Sequence, residues 1–63
     1  RPRPNLPAQQ MKVYDCLTLE PQDVDALSQS CGLATSDLLA ILSVLEMDGL
    51  AVRFPWRGYC RNH

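Results

Sequence analysis

Apolar residues recur at Leu38, Ile41, Leu42 and Leu45, the i, i+3, i+4, i+7 spacing that lays one stripe along one face of a helix. The spacing predicts one helix between Gly32 and Gly49. Thr35, Ser36 and Asp37 crowd its front end, where their oxygens can accept orphan backbone N–H groups and a negative charge suits the helix dipole. Gly49 closes it, because the residue after a helix often takes a positive φ that only glycine adopts freely. Upstream, Leu6, Gln10, Val13, Tyr14 and Leu17 make the inward face of a first helix from Pro7 to Leu17. Pro7 suits its first turn and Asn5 is placed to cap it.

Pro21 biases Glu20 out of the helical region and breaks the chain. Gln22 to Val24 reads as a short extended segment. A second helix follows from Ala26 to Cys31, capped by Asp25 with Asp23 as a rival. Val24, Leu27, Cys31 and Leu33 face inward, and Gly32 turns the chain in a left-handed conformation before the third helix. From Leu50 to Phe54 the pattern alternates, with Leu50, Val52 and Phe54 pointing one way and Ala51 and Arg53 the other. Pro55 to Gly58 is a turn, and Tyr59 to Arg61 returns as a second strand. A helix-turn-helix followed by a hairpin is an α+β winged helix-turn-helix: three helices, a short strand and a two-stranded C-terminal wing. The expected core is Leu17, Leu27, Leu33, Leu38, Ile41, Leu42, Leu45, Leu50 and Val52.

Length adds one constraint. The chain has 63 residues, one small domain near the lower limit for folding without disulfides or metals. Residues 1–5 read as an extended Arg/Pro linker, and residues 6–63 as the winged-helix domain. No apolar run nears the roughly 20 residues of a membrane span. No apolar signal region follows the opening Arg-Pro-Arg-Pro, so a cytoplasmic location and no membrane partner are expected. Cys16, Cys31 and Cys60 are odd in number and far apart, and the one histidine is His63. Zinc would need about four ligands, so no metal and no cofactor is expected. The cysteines read as small buried or half-buried thiols.

Charge changes the picture more. All seven acids lie between Asp15 and Asp48, a stretch with no Lys or Arg. The six bases lie outside it: Arg1, Arg3 and Lys12 before, Arg53, Arg57 and Arg61 after. The domain should be bipolar, acidic in the middle and basic in the wing.

The run Glu20-Pro21, Val24-Asp25, Leu27, Cys31-Gly32-Leu33, Leu38-Leu39, Leu42, Leu45-Glu46 and Gly49-Leu50 resembles the C-terminal winged-helix domain of bacterial DNA-processing protein A (the DprA or Smf family). Pro55, Tyr59 and Arg61 extend the resemblance into the wing, so that it covers Leu6 to Arg61. Two places depart from the family pattern. Ala34 stands where the family usually has Pro or a polar residue, and Pro55-Trp56-Arg57 stands where it has Pro-Gly-Gly. The resemblance implies a parent protein with a Rossmann-like domain that binds single-stranded DNA and helps load the RecA recombinase during natural transformation, the uptake and recombination of DNA in competent cells. Those binding residues lie outside this chain. For the winged domain it implies an accessory role, in DNA contact or in self-association.

The residues support no catalysis. There is no Ser/His/Asp set and no glycine-rich phosphate loop, and Asp23 and Asp25 are better explained as caps. The third helix, which enters the major groove in helix-turn-helix proteins, carries no Arg, Lys, Asn or Gln with which to read bases. DNA contact, single- or double-stranded, would be weak and non-specific. It would run through Arg53, Arg57 and Arg61, with Trp56 stacking on an unpaired base. The alternative is protein association through Ala40, Val44 and Met47 on the outer face of the third helix. The partner there would be a second copy as a homodimer, the parent chain itself, or the RecA recombinase.

Overall fold

The computed structural model describes residues 5–62. Residues 1–4 of the linker expected over residues 1–5, and His63, lie outside the described residues. Three helices come first: α1 (Ala8–Cys16), α2 (Val24–Cys31) and α3 (Thr35–Met47). Two antiparallel strands follow, β1 (Ala51–Phe54) and β2 (Gly58–Arg61), paired Ala51 with Arg61, Val52 with Cys60, Arg53 with Tyr59 and Phe54 with Gly58. The short strand before α2 reduces to one residue: Gln22 bridges Tyr59, exchanging N–H to O bonds of 2.9 and 2.8 Å.

Local chemistry sets these boundaries. Asp23, not Asp25, caps α2, its carboxylate accepting from the Ala26 N–H at 2.7 Å. The pairing of Gln22 with Tyr59 holds the chain extended up to that residue, so the first helical turn starts one step later. Asp25 then falls in the first turn, where its charge still suits the dipole. Neither of the other two helices is capped by a side chain. Pro7 and Ala34 are the N-caps of α1 and α3, and Asn5 plays no capping part. The oxygens of Thr35, Ser36 and Asp37 likewise make no cap bond. α3 ends in a Schellman motif, with Leu50 N–H bonded to the Leu45 carbonyl at 2.9 Å, Gly49 N–H to that of Glu46 at 3.0 Å, and Gly49 at φ 75°.

α2 and α3 meet at 103° across the break after Cys31, within the helix-turn-helix range of about 90–120°. Gly32 makes that turn at φ 71°, ψ 25°. Its N–H reaches the Ser28 carbonyl at 2.9 Å, and the Ser28 hydroxyl donates to the Leu33 carbonyl at 2.6 Å. A Cβ on Gly32 would touch nothing within 4 Å, so a substitution there is penalised by backbone strain alone. Gly32→Val is expected to cost about 1–3 kcal/mol, while Gly32→Asn, which tolerates the left-handed region, costs much less. Equal unfolding midpoints for the two variants would refute a strain-only role.

The core is where the three helices meet the hairpin. Val13, Leu17, Leu27, Cys31, Leu38, Leu42 and Leu45 are fully buried, joined by Ala51 and Tyr59. Leu33, Ile41 and Leu50 pack against this cluster while half-buried. Val52, expected in the core, is half-buried and outside the cluster. The inner face of the wing is the one carrying Ala51 and Tyr59, and Phe54 is 41% exposed. Register explains the reversal. Cross-strand partners share a face, and the bridge to Gln22 fixes Tyr59 against the helices. Tyr59 pairs with Arg53, and Ala51, two residues before Arg53 on the same face, turns inward beside it, although its neighbours Leu50 and Val52 are larger. Leu50 is half-covered through its place at the end of the α3 motif.

The three thiols are free. Cys31 and Cys60 are buried and Cys16 is half-buried. Burial, followed by a hydrogen bond with Cys16, pushes the Cys31 thiol up to about 12. It stays protonated near neutrality and acts as a small apolar group.

Candidate nucleic-acid interface

The wing tip is a four-residue turn. The Arg57 N–H donates to the Phe54 carbonyl at 3.1 Å, with Pro55 at the second position and Trp56 at the third with φ 71°. That is the pattern of a type II turn, in which the third position requires a positive φ and is normally Gly or Asn. Trp56 is the only non-glycine residue with positive φ among the described residues. An indole held there is strained by about 1–3 kcal/mol, and it is also fully exposed, clear of the hairpin.

Arg53 and Arg57 are exposed around it, and Phe54 stands half-out beside them. On one side of the tip an open groove of about 440 Å³ is walled by Arg53, Phe54, Trp56, Tyr59, Val24 and Asp23. On the other, a groove of about 480 Å³ lies between Trp56 and Arg57 and the Glu20-Pro21 loop. The Asp23 carboxylate is engaged as a helix cap. The exposed arginines therefore line their grooves alongside aromatic rings, a combination suited to a phosphate with a neighbouring base.

Arg61 is not brought to this group. Its Nη2 donates to the carbonyls of Leu17 at 2.8 Å and Tyr14 at 3.2 Å, and the guanidinium lies over the Tyr14 ring, 4.7 Å from its centroid. These carbonyls end α1, where the dipole is negative, so Arg61 supplies the cation and the donors that a helix C-terminus lacks. Its partners are 44 and 47 residues away in sequence, and nothing in the local pattern separates it from the wing arginines. Phe54 carries no local signal of its place in this group: alternation puts it on one side with Leu50 and Val52, and the pairing of the strands leaves it exposed.

The second candidate surface is the outer side of α3. Ala40, Val44 and Met47 are all exposed, Met47 at 86%, and Leu39 is partly exposed on the flank. Asp37 and Asp48 lie on the same side as Val44. No cation lies between Val13 and Val52.

Two helices joined through a left-handed glycine, a helix packed across them, and a hairpin whose return strand pairs with the lead into α2 define a winged helix-turn-helix module. No single helix among the described residues is long and apolar enough to cross a membrane. The chain belongs to the DprA winged helix domain family, whose model matches residues 1–55. No curated protein and no solved structure matches it. The family match ends within the turn, so that Arg53 lies inside it and Trp56, Arg57 and the return strand lie beyond. Membership places the chain among the winged-helix modules of DNA-processing proteins.

Proposed function

We propose that this chain is an accessory, non-catalytic module of a cytoplasmic DNA-processing protein, making weak, sequence-independent contact with nucleic acid through Arg53, Trp56 and Arg57. In a parent of the DprA type, single-strand binding and loading of the RecA recombinase would fall to the Rossmann-like domain, with the wing adding a secondary hold. The observation that carries this reading is Trp56: a large apolar ring, fully exposed and held at a φ that glycine would adopt freely, between two exposed arginines. Exposed strain of this kind stands against stability and is retained where function uses it.

Arg61 is turned onto α1, which leaves two arginines to neutralise phosphates. The log–log salt slope is then about −1.8 on duplex and about −1.4 on single strands, and affinity falls in the non-specific range of about 10⁻⁴ to 10⁻⁶ M. Titration with labelled single- and double-stranded oligonucleotides at low salt tests this. Arg57→Ala and Trp56→Ala should weaken binding, whereas Ser36→Ala and Ser43→Ala should leave it unchanged. Trp56 fluorescence should respond more to single strands than to duplex, since stacking needs an unpaired base. Amide shifts confined to Ser36, Ala40 and Ser43, or none with either form, would refute the proposal.

A further inference from the structure

The acid-flanked outer face of α3 is a poor surface for DNA, yet it holds the most exposed of the large aliphatic side chains among the described residues, Met47. Turning residues by 100° along the helix, Ala40 and Met47 mark the centre of the solvent side, opposite the buried Leu38, Leu42 and Leu45. Val44, Asp37 and Asp48 follow along one flank, and Leu39 and Glu46 along the other. Ser36 and Ser43 lie on the same solvent side, so the surface is a strip of Ala40, Met47 and Val44 interleaved with two serines and edged by acids, in a segment from Val13 to Val52 where the chain supplies no cation. A fitting partner presents apolar bulk between positive charges. The wing tip does so: Trp56 and Phe54 are exposed between Arg53 and Arg57.

We propose that the outer face of α3 receives the wing tip of a second copy of this chain. Trp56 covers Met47, Val44 and Ala40, and Arg53 and Arg57 face Asp37 and Asp48. Each chain carries both halves of the contact. Two copies that make it reciprocally form a closed pair, and copies that make it one way form an open series. Burying the indole and the methionine supplies the attraction, and the charges set the register and exclude a pairing of wing with wing. Nucleic acid and the second copy would then use the same wing residues, so an oligonucleotide separates the copies. That competition rests on the wing reading above; the pairing itself does not.

Sedimentation velocity on the 63-residue chain at low salt, from micromolar to millimolar concentration, tests the pairing through three exposed positions whose replacement leaves the core untouched. The wild type should associate with rising concentration, and less so as salt is added. Arg57→Glu, Asp48→Arg and Met47→Asp should each weaken association by about tenfold or more. An equimolar mixture of Arg57→Glu and Asp48→Arg should associate as the wild type does, because each restores the charge the other lacks. Asp48→Arg also places a cation at the end of α3, where the dipole favours it, so its loss of association would not reflect unfolding. A wild type that stays monomeric at millimolar concentration would overturn the proposal. So would an Asp48→Arg variant that associates unchanged, or a mixture that stays monomeric. Oligonucleotide titration of Asp48→Arg separates the two readings. Retained binding with lost pairing supports both, and pairing in a wild type that binds no oligonucleotide removes the nucleic-acid reading alone.

Discussion

Leu42→Ala is expected to lower unfolding stability by about 2–5 kcal/mol. Leu42 is fully buried, as are Leu38 and Leu45 on the same stripe, and α3 packs through that stripe against both α1 and α2. Truncation leaves a cavity at the point where three helices meet, where no element can move inward without opening another contact. A chain of this length has a total stability of only about 3–5 kcal/mol, so the variant is expected to be largely unfolded at room temperature. Ser43→Ala is the control, one position along and exposed; it should stay within about 0.5 kcal/mol of the wild type. Urea denaturation followed by far-ultraviolet circular dichroism measures both. Equal midpoints would show that the α3 stripe does not face the core.

Gly58→Ala is the second large effect, and it acts through closeness of backbone. Gly58 has φ 111°, and a Cβ built there would collide with the carbonyl of Gln22 and lie 2.8 Å from the Asp23 nitrogen. These atoms belong to the chain that pairs with β2, so relief requires the lead into α2 to move away from the wing. That move breaks both bonds between Gln22 and Tyr59, worth about 1 kcal/mol each, on top of about 1–3 kcal/mol for an alanine at positive φ. The expected loss is about 3–5 kcal/mol from the sum of these terms. Hydrogen exchange locates it: the Gln22 and Tyr59 amides should lose protection before those of α3. Unchanged protection at both amides would show that the approach is not tight.

The helical half of the fold was legible because its signals are local. The stripe of α3 repeats every three to four residues, and Gly32 and Gly49 mark its flanking turns, so burial of Leu38, Leu42 and Leu45 followed directly. The cap of α2 was legible only as a choice between Asp23 and Asp25. What settled it was the pairing of Gln22 with Tyr59, a contact across 37 residues. The strand faces failed for the same reason. In a four-residue strand, alternation gives two equivalent assignments, and the expected core took the side of Leu50 and Val52, whereas Tyr59 from the other strand decided for Ala51. At the candidate site, the clustering of Arg53, Trp56 and Arg57 could be read from their closeness in sequence. The withdrawal of Arg61 could not, since it depends on the Tyr14 and Leu17 carbonyls at the end of α1, which only the fold brings to it. Nor could the conformation of Trp56 be read from the residues of this turn, which has no glycine at its third position.

The return strand ties the C-terminal end of the described chain to the end of α1 and to the turn after α3. Tyr59 enters the core, Arg61 closes the end of α1, the Arg61 N–H reaches the Thr18 carbonyl at 2.7 Å, and Asn62 bonds the carbonyls of Leu50 and Gly49 at 3.1 and 2.8 Å. All of these residues lie beyond Pro55, where the family match stops. The stretch that the family model matches is therefore shorter than the stretch that folds. A protein engineer who severed the chain at the family boundary would keep every matched residue and discard the clasp, leaving α1 open at its end and a gap in the core where Tyr59 had been.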